Sequence, residues 1–321
     1  MKQLLGKLLF FCFFPLPILF GLQSIVDDGL RKSNHPLYAE WNDVYDGKVN
    51  ADLIVMGSSR AEVHISPTIL EKQLKISTYN LAMNGWTFPM HNARFNIYLK
   101  YNKKPKYIVH SMDLQMLSRR EELVGYQQFL PYLHDPHIQE ATKDYKGEFG
   151  LAQYYLPMFK YNGNLDLAAA GFLRYFNFVE NERISDKGYK PQARKWDGAF
   201  EAFKRKFPNG YAHPFDSKAA EEFTSYLRYC KENGIKIVMV FSPEYIELYP
   251  LITNRNEIIS LFQKYSKEFG IPFLDYSNHP ICFNKSYFYN SEHLNKEGSE
   301  LFSKILTQDL QDLGIHLEES K

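Results

Sequence analysis

The feature that most restricts the fold is a recurring order of short apolar run, turn and helical pattern. Asp52 to Met56 (DLIVM) is an apolar run closed by Gly57, the length and composition of a buried parallel strand. Ser66 followed by Pro67 marks an N-cap with proline at the first helical position, which predicts a helix through about Leu74. Further strands are predicted near Thr78 to Ala82, Tyr107 to Met112, Ile235 to Phe241 and Pro272 to Tyr276. Between them fall helices through about Tyr101, over Ser217 to Asn233 and over Arg255 to Glu268, with a last helix capped by Asn295. This order predicts an α/β fold built on a doubly wound parallel sheet. The alternation breaks between about Ser118 and Pro214, an aromatic-rich stretch with Pro131, Pro136, Pro157, Pro191 and Pro208. It reads as an insertion at the carboxyl edge of the sheet, either a lid or partner surface or a cover for apolar area.

The N-terminus carries a different signal. Leu8 to Leu22 (LLFFCFFPLPILFGL) holds no charge and follows Lys2 and Lys7, the pattern of a signal anchor. Being apolar all round, it does not resemble a helix that buries one face. With Gln23 to Val26 it approaches the roughly 20 residues that cross a bilayer, and Pro15 and Pro17 predict a kinked or tilted span. No small-residue cleavage site follows, so residues 1–32 are expected to form an uncleaved single-pass membrane anchor. The basic residues Lys2 and Lys7 lean toward an N-terminus inside and a body, 33–321, outside the cytoplasm.

Composition removes other classes. The 321 residues include 38 basic and 37 acidic side chains, a formal charge of +1, so no field favours nucleic acid. Hydrophobic residues at 45% and charged ones at 23% exclude a disordered chain. Cys12, Cys230 and Cys282 are too scattered for a metal knuckle, and Cys230 and Cys282 are expected as free buried thiols. His134-Asp135-Pro136-His137 groups polar ligand types, but its surroundings suit an exposed turn, and no metal site is expected.

Two segments carry chemistry. Gly57-Ser58-Ser59-Arg60 follows the first strand directly, where a tight turn presents a hydroxyl and backbone N–H groups can face one point. Asn290-Ser291-Glu292-His293-Leu294-Asn295 precedes the last helix, also on the carboxyl side of the sheet, where an imidazole can serve as general base to Ser59. His64 reads as a satisfied structural histidine. Arg60 reads as a solvated surface residue or as the holder of an anionic group.

With MGSSR after the first strand, NLAMNG after the second, a strand ending in SMD, and SEHLNKEGSELFSKIL near the C-terminus, the chain resembles the SGNH/GDSL hydrolase superfamily. It is similar to the membrane-anchored branch that includes the teichoic-acid D-alanylation protein and SGNH-type polysaccharide O-acetyltransferases. The resemblance covers about Ala51 to Asp113 and Ile235 to Leu313, not the insertion. It implies a flavodoxin-like sheet, Ser59 as nucleophile, His293 as general base, and the N–H groups of Ser59 and Gly85 as oxyanion donors. The implied reaction is acyl transfer through an acyl-serine on a cell-surface glycan, with no cofactor, and the implied partner is a multispanning membrane acyltransferase.

Two positions depart from the pattern. The third-block Asn is Asp113 here, an acceptor when ionised, which points to a structural role on the nucleophile turn; Asn84, beside Gly85, is then a candidate oxyanion donor from a different loop, and Ser58 and Arg60 are expected to support the site from behind. The Asp that orients the imidazole is Asn290, which supplies no negative charge and can select the wrong tautomer. In the serine-protease template that exchange costs on the order of 10⁴ in kcat, about 5.5 kcal/mol. Glu292 and Asp275 are the alternative carboxylates. A second reading is therefore a non-catalytic binding or assembly subunit that keeps the fold, and a third is an intracellular lipase-like esterase.

Overall fold

A computed structural model of the chain describes residues 14–146 and 149–316. The chain divides into two compact units. The smaller runs through Asp46 and takes in Arg120–Ile184; the larger comprises Gly47–Arg119 and the chain from Ser185 onward.

The larger unit is a five-stranded sheet of β1 (Leu53–Met56), β2 (Thr78–Asn80), β3 (Tyr107–Ser111), β4 (Lys236–Phe241) and β5 (Phe273–Asp275) in the order β2-β1-β3-β4-β5. Every neighbouring pair is parallel, with Met56 level with His110 and Ser111 level with Val240. All residues of β1 and β3 are buried, which is why these segments show no alternation: helices cover both faces of a parallel sheet. The observed strands are shorter by one or two residues at their ends than the expected ones. The helix expected after Ser66 runs Pro67–Leu74, and the Ser66 hydroxyl accepts from the Ile69 N–H at 3.4 Å. Asn295 caps the helix Lys296–Asp312 by accepting from the Gly298 N–H at 3.0 Å.

From β1 the chain winds to β2 on one side and then to β3 on the other. The reversal falls between β1 and β3, and in open parallel sheets ligands bind at the carboxyl ends of the strands at such a point. Gly57 to Ser59 leave β1 there and Asp113 leaves β3. Gly57 has φ +142, and a methyl on it would stand 2.8 Å from the Ser111 Cβ and 2.9 Å from the Ala61 Cβ. Glycine is thus required both by the backbone angle and by the close approach of β3 and the following helix.

In the smaller unit the helix Pro15–Arg31 packs against the helix Leu165–Tyr175. A methyl on Gly29 would lie 1.8 Å from the Gly171 carbonyl oxygen, so the two backbones touch through paired glycines. Asp27 accepts from the buried Lys160 ammonium at 2.8 Å, and the Tyr161 hydroxyl donates to the same carboxylate. These contacts join the helix Pro15–Arg31 to the chain at 120–184 within one compact unit. Of the apolar run Leu8–Leu22, residues 8–13 lie outside the described residues, and from Pro15 onward the run forms part of a helix folded with the chain at 120–184. No helix among the described residues is long and apolar enough to cross a membrane. The chain from Ser185 to Pro214, expected within the insertion, belongs with the sheet.

Gly29→Ala is expected to lower stability by about 1–3 kcal/mol, the usual range for forcing extra atoms into a packed contact. A urea denaturation midpoint equal to that of the parent chain would contradict this packing.

Candidate active site

The short helix Ser59–His64 starts directly after the β1 turn and places the Ser59 side chain at its first residue. The Ser59 Oγ lies 2.8 Å from the His293 Nε2, a contact between residues 234 positions apart. On the other side of the ring, His293 Nδ1 is 3.0 Å from the Asn290 Oδ1. That same oxygen accepts from the backbone N–H of Glu292 at 3.0 Å and of His293 at 2.9 Å.

The three contacts at Asn290 decide the proton positions. Two backbone N–H groups can only meet an acceptor, so the amide oxygen rather than its NH₂ faces the ring. Nδ1 must then carry the hydrogen, leaving the Nε2 lone pair toward the Ser59 hydroxyl. The expected hazard of a wrong tautomer does not arise in this turn: the amide imposes the same tautomer that a carboxylate would. What it lacks is charge. Burial lowers the His293 pKa to about 4, helped by the Arg60 and Arg194 guanidinium groups and opposed by the Asp197 carboxylate. The imidazole is therefore neutral at neutral pH, the form that accepts a proton.

Neither alternative carboxylate orients the ring. Nδ1 is occupied by Asn290, and Asp275 Oδ1 accepts instead from the Ser277 N–H at 2.9 Å. Tyr289 and Arg194, which gave no sequence signal, complete the surroundings. The Tyr289 ring stacks on His293 at 5.4 Å with 13° between planes, and the Arg194 guanidinium lies over Tyr289 at 4.8 Å. The Asp197 N–H donates to the Tyr289 carbonyl at 2.8 Å.

Arg60 is neither a surface residue nor open to an anionic ligand. It is 4% exposed, and its Nη1 is 2.9 Å from Glu244 Oε1 and 3.5 Å from Asp113 Oδ1. Its Nη2 donates to the Ser242 carbonyl, and the guanidinium lies 4.5 Å over the Phe241 ring. The Ser58 hydroxyl and backbone both bond Asp113, so this aspartate serves the nucleophile turn as an acceptor and cannot donate to an oxyanion. Burial raises the Asp113 and Glu244 carboxyls, and Arg60 counters it. One cation thereby ties the exits of β1, β3 and β4. Ser242 and Glu244 were missed in the sequence, although their place just past the β4 run IKIVMVF marks them as residues of the sheet's carboxyl edge.

His64 is fully buried. Its Nε2 accepts from the Leu294 N–H at 2.9 Å, which leaves Nδ1 as the donor to the Ser242 hydroxyl, also at 2.9 Å. Burial first, then Arg60 and His293, hold its pKa well below that of a free imidazole. This neutral histidine pins the backbone beside His293. The loop after β2 reaches the nucleophile turn through the Met83 N–H, which donates to the Gly57 carbonyl at 2.9 Å. Gly85, two residues on, is half-buried with φ +77, and Asn84 is exposed.

Other sequence candidates lie elsewhere. Asp135 caps the helix Pro136–Thr142 by accepting from the His137 N–H at 2.8 Å, which accounts for that polar cluster. Cys230 and Cys282 are buried and free, and Cys12 lies outside the described residues. Among the described residues, no group of three or more His, Cys, Asp and Glu is placed to hold a metal ion.

No family model and no curated protein matches the chain. Solved structures similar to it include a protein assigned as an acylhydrolase from Bacteroides fragilis, with 12% identity and a TM-score of 0.40 over 81% of this chain and 86% of that one. A GDSL-like lipase from Bacteroides thetaiotaomicron shares 14% identity with a TM-score of 0.36 over 81% and 88%. A protein assigned to the G-D-S-L family from Desulfitobacterium hafniense shares 12% identity with a TM-score of 0.37 over 80% and 97%. At these values the likeness adds no weight, and the chemistry rests on the geometry above.

Arg60→Met is expected to cost about 3–5 kcal/mol near neutral pH, because it strands two buried carboxylates. The deficit should shrink on acidification as Asp113 and Glu244 take up protons. Urea unfolding at about pH 5 and about pH 8 measures it; a deficit that grows toward acid would contradict the assigned charges.

Proposed function

We propose that the chain is a serine-dependent ester hydrolase or O-acyltransferase of SGNH type. The observation that carries this reading is the Ser59–His293–Asn290 chain of hydrogen bonds with its Nε2 lone pair facing the hydroxyl. As Ser59 Oγ attacks an ester carbonyl, its proton passes to Nε2 and the carbonyl electron pair moves to oxygen. The N–H groups of Ser59 and Gly85 stabilise that oxyanion, since fixed dipoles need no reorganisation. Collapse expels the alcohol, which takes the proton from Nε2 and leaves an acyl-serine. Water or an acceptor hydroxyl, deprotonated by His293, then attacks the acyl carbon and frees Ser59.

For the finer assignment, we take the substrate to be an acyl group, an acetyl in the simplest case, on a cell-surface glycan. The uncharged run Leu8–Leu22 behind Lys2 and Lys7 supports a body tethered outside the cytoplasm, with a multispanning acyltransferase as donor partner. A binding subunit remains the second reading because Asn290 brings no charge to the imidazolium.

Turnover of p-nitrophenyl acetate separates the two. Ser59→Ala and His293→Ala are each expected to lower kcat by about 10³-fold or more, as triad members do. Equal turnover in all three forms would remove the catalytic reading. The acidic limb of kcat/KM is expected near pH 4 and should move upward in Asn290→Asp, where a carboxylate favours the imidazolium. The same exchange should raise kcat, and an unmoved limb would mean that His293 is not the base.

A further inference from the structure

Fifteen of the twenty exposed large apolar side chains among the described residues belong to the smaller unit. That concentration exceeds the scattered apolar exposure normal for a protein surface. Several of these side chains gather at one end of the unit. The helix Pro15–Arg31 buries only Val26, Gly29 and Leu30, all in its second half. Phe14 just before it and Ile18 and Phe20 in its first half are each more than half exposed, and Gly21 has open space around it.

Two other segments come to the same end. The Met158 N–H donates to Gln23 Oε1 at 2.7 Å and Lys160 reaches Asp27, so residue numbers rise together and Leu156 falls toward the first half of the helix. Gly171 meets Val26, Gly29 and Leu30, while the Arg174 Nε donates to the Lys32 carbonyl at 3.2 Å. Residue numbers therefore rise together, and the helix Leu165–Tyr175 starts level with about Gln23, at a rise of roughly 1.5 Å per residue. Leu165, 72% exposed, is on that side. The adjoining helix Leu151–Tyr155 has no buried residue, and Leu151 and Tyr155 are 77% and 70% exposed.

We propose that this end of the smaller unit sits in the boundary between headgroups and acyl chains of a lipid bilayer. The Leu151–Leu156 segment enters it beside the first half of the N-terminal helix. The occupant is set by the chain that continues the patch. Residues 8–13 lie outside the described residues, and the sequence that leads into Phe14, LLFFCF, holds no charge. A protein groove takes a helix apolar on one side, whereas a run apolar all round is matched by lipid. The exposed Tyr155 suits the boundary itself, where a ring buries in acyl chain while its hydroxyl stays wet. The inference shares the tether with the proposed function and needs nothing from Ser59, so a failed esterase assay leaves it standing.

The experiment uses the full chain with Cys12→Ser, leaving only the buried Cys230 and Cys282 as native thiols. The environment-sensitive fluorophore NBD is attached through Leu151→Cys or Tyr155→Cys. A control carries it through Glu180→Cys, next to Arg174 at the other end of the same unit. The protein is reconstituted into vesicles of equimolar phosphatidylcholine and phosphatidylglycerol. Emission at 151 and 155 is expected to shift to the blue, rise by about 2-fold or more on transfer to an apolar medium, and be quenched by doxyl-labelled lipid, with position 180 unaffected. If all three positions respond alike while the vesicles carry the protein in flotation, only the tether touches lipid and the proposal fails. It also fails if the chain does not float, or if the response appears without vesicles as protein concentration rises, which would assign the patch to a second copy.

Discussion

An amide oxygen that receives three N–H groups at once cannot be exchanged for an NH₂ without breaking all three bonds. At Asn290 this holds the side chain in one orientation, and the orientation sets the hydrogen on His293 Nδ1. Everything chemical about the site depends on that hydrogen. With it on Nδ1, the Ser59 hydroxyl meets a lone pair; with it on Nε2, two donors would face each other. The turn at 290–293 therefore does with backbone geometry part of what a carboxylate does with charge. The remainder, stabilising the imidazolium, falls to the more distant Asp197, against the opposing fields of Arg60 and Arg194.

The same economy appears in the sheet. The doubly wound order brings the exits of β1 and β3 side by side, and Arg60 binds them to β4 through Asp113, Glu244 and the Ser242 carbonyl. His64 links Ser242 to the backbone after His293. Nucleophile and base thus stand on two segments joined through one buried polar network. In such a network each member is costly to remove, because its partners stay behind in a low-dielectric interior. Burial chiefly, and the guanidinium after it, keep the imidazole neutral, so the ion cluster contributes to catalytic state as well as to position.

Much of the fold was legible in the sequence because its three central strands, β1, β3 and β4, are largely apolar runs of four to six residues closed by turns, and because Ser66-Pro67 and Asn295 announce helix starts locally. Pairing Ser59 with His293 was legible through topology, since both lie at strand exits on one edge of a parallel sheet. The burial of Arg60 was not. Its partner Glu244 is 184 positions away, and nothing local distinguishes a guanidinium that will be covered from one that will face water. The tautomer escaped for a related reason: an Asn in place of an Asp reads as a lost charge, while its orientation depends on backbone N–H groups that only the folded turn directs. At the N-terminus the apolar run concealed that the helix continues to Arg31 and holds Asp27 against Lys160 in the segment read as an insertion.

The central claim is the placement of one proton, and ¹⁵N spectroscopy of the chain with labelled histidine reads it directly. The His293 ring, assigned by its disappearance in His293→Gln, should show a protonated Nδ1 and an unprotonated Nε2 at neutral pH. A protonated Nε2 beside a bare Nδ1 would contradict the account, because the ring would then offer the Ser59 hydroxyl no base.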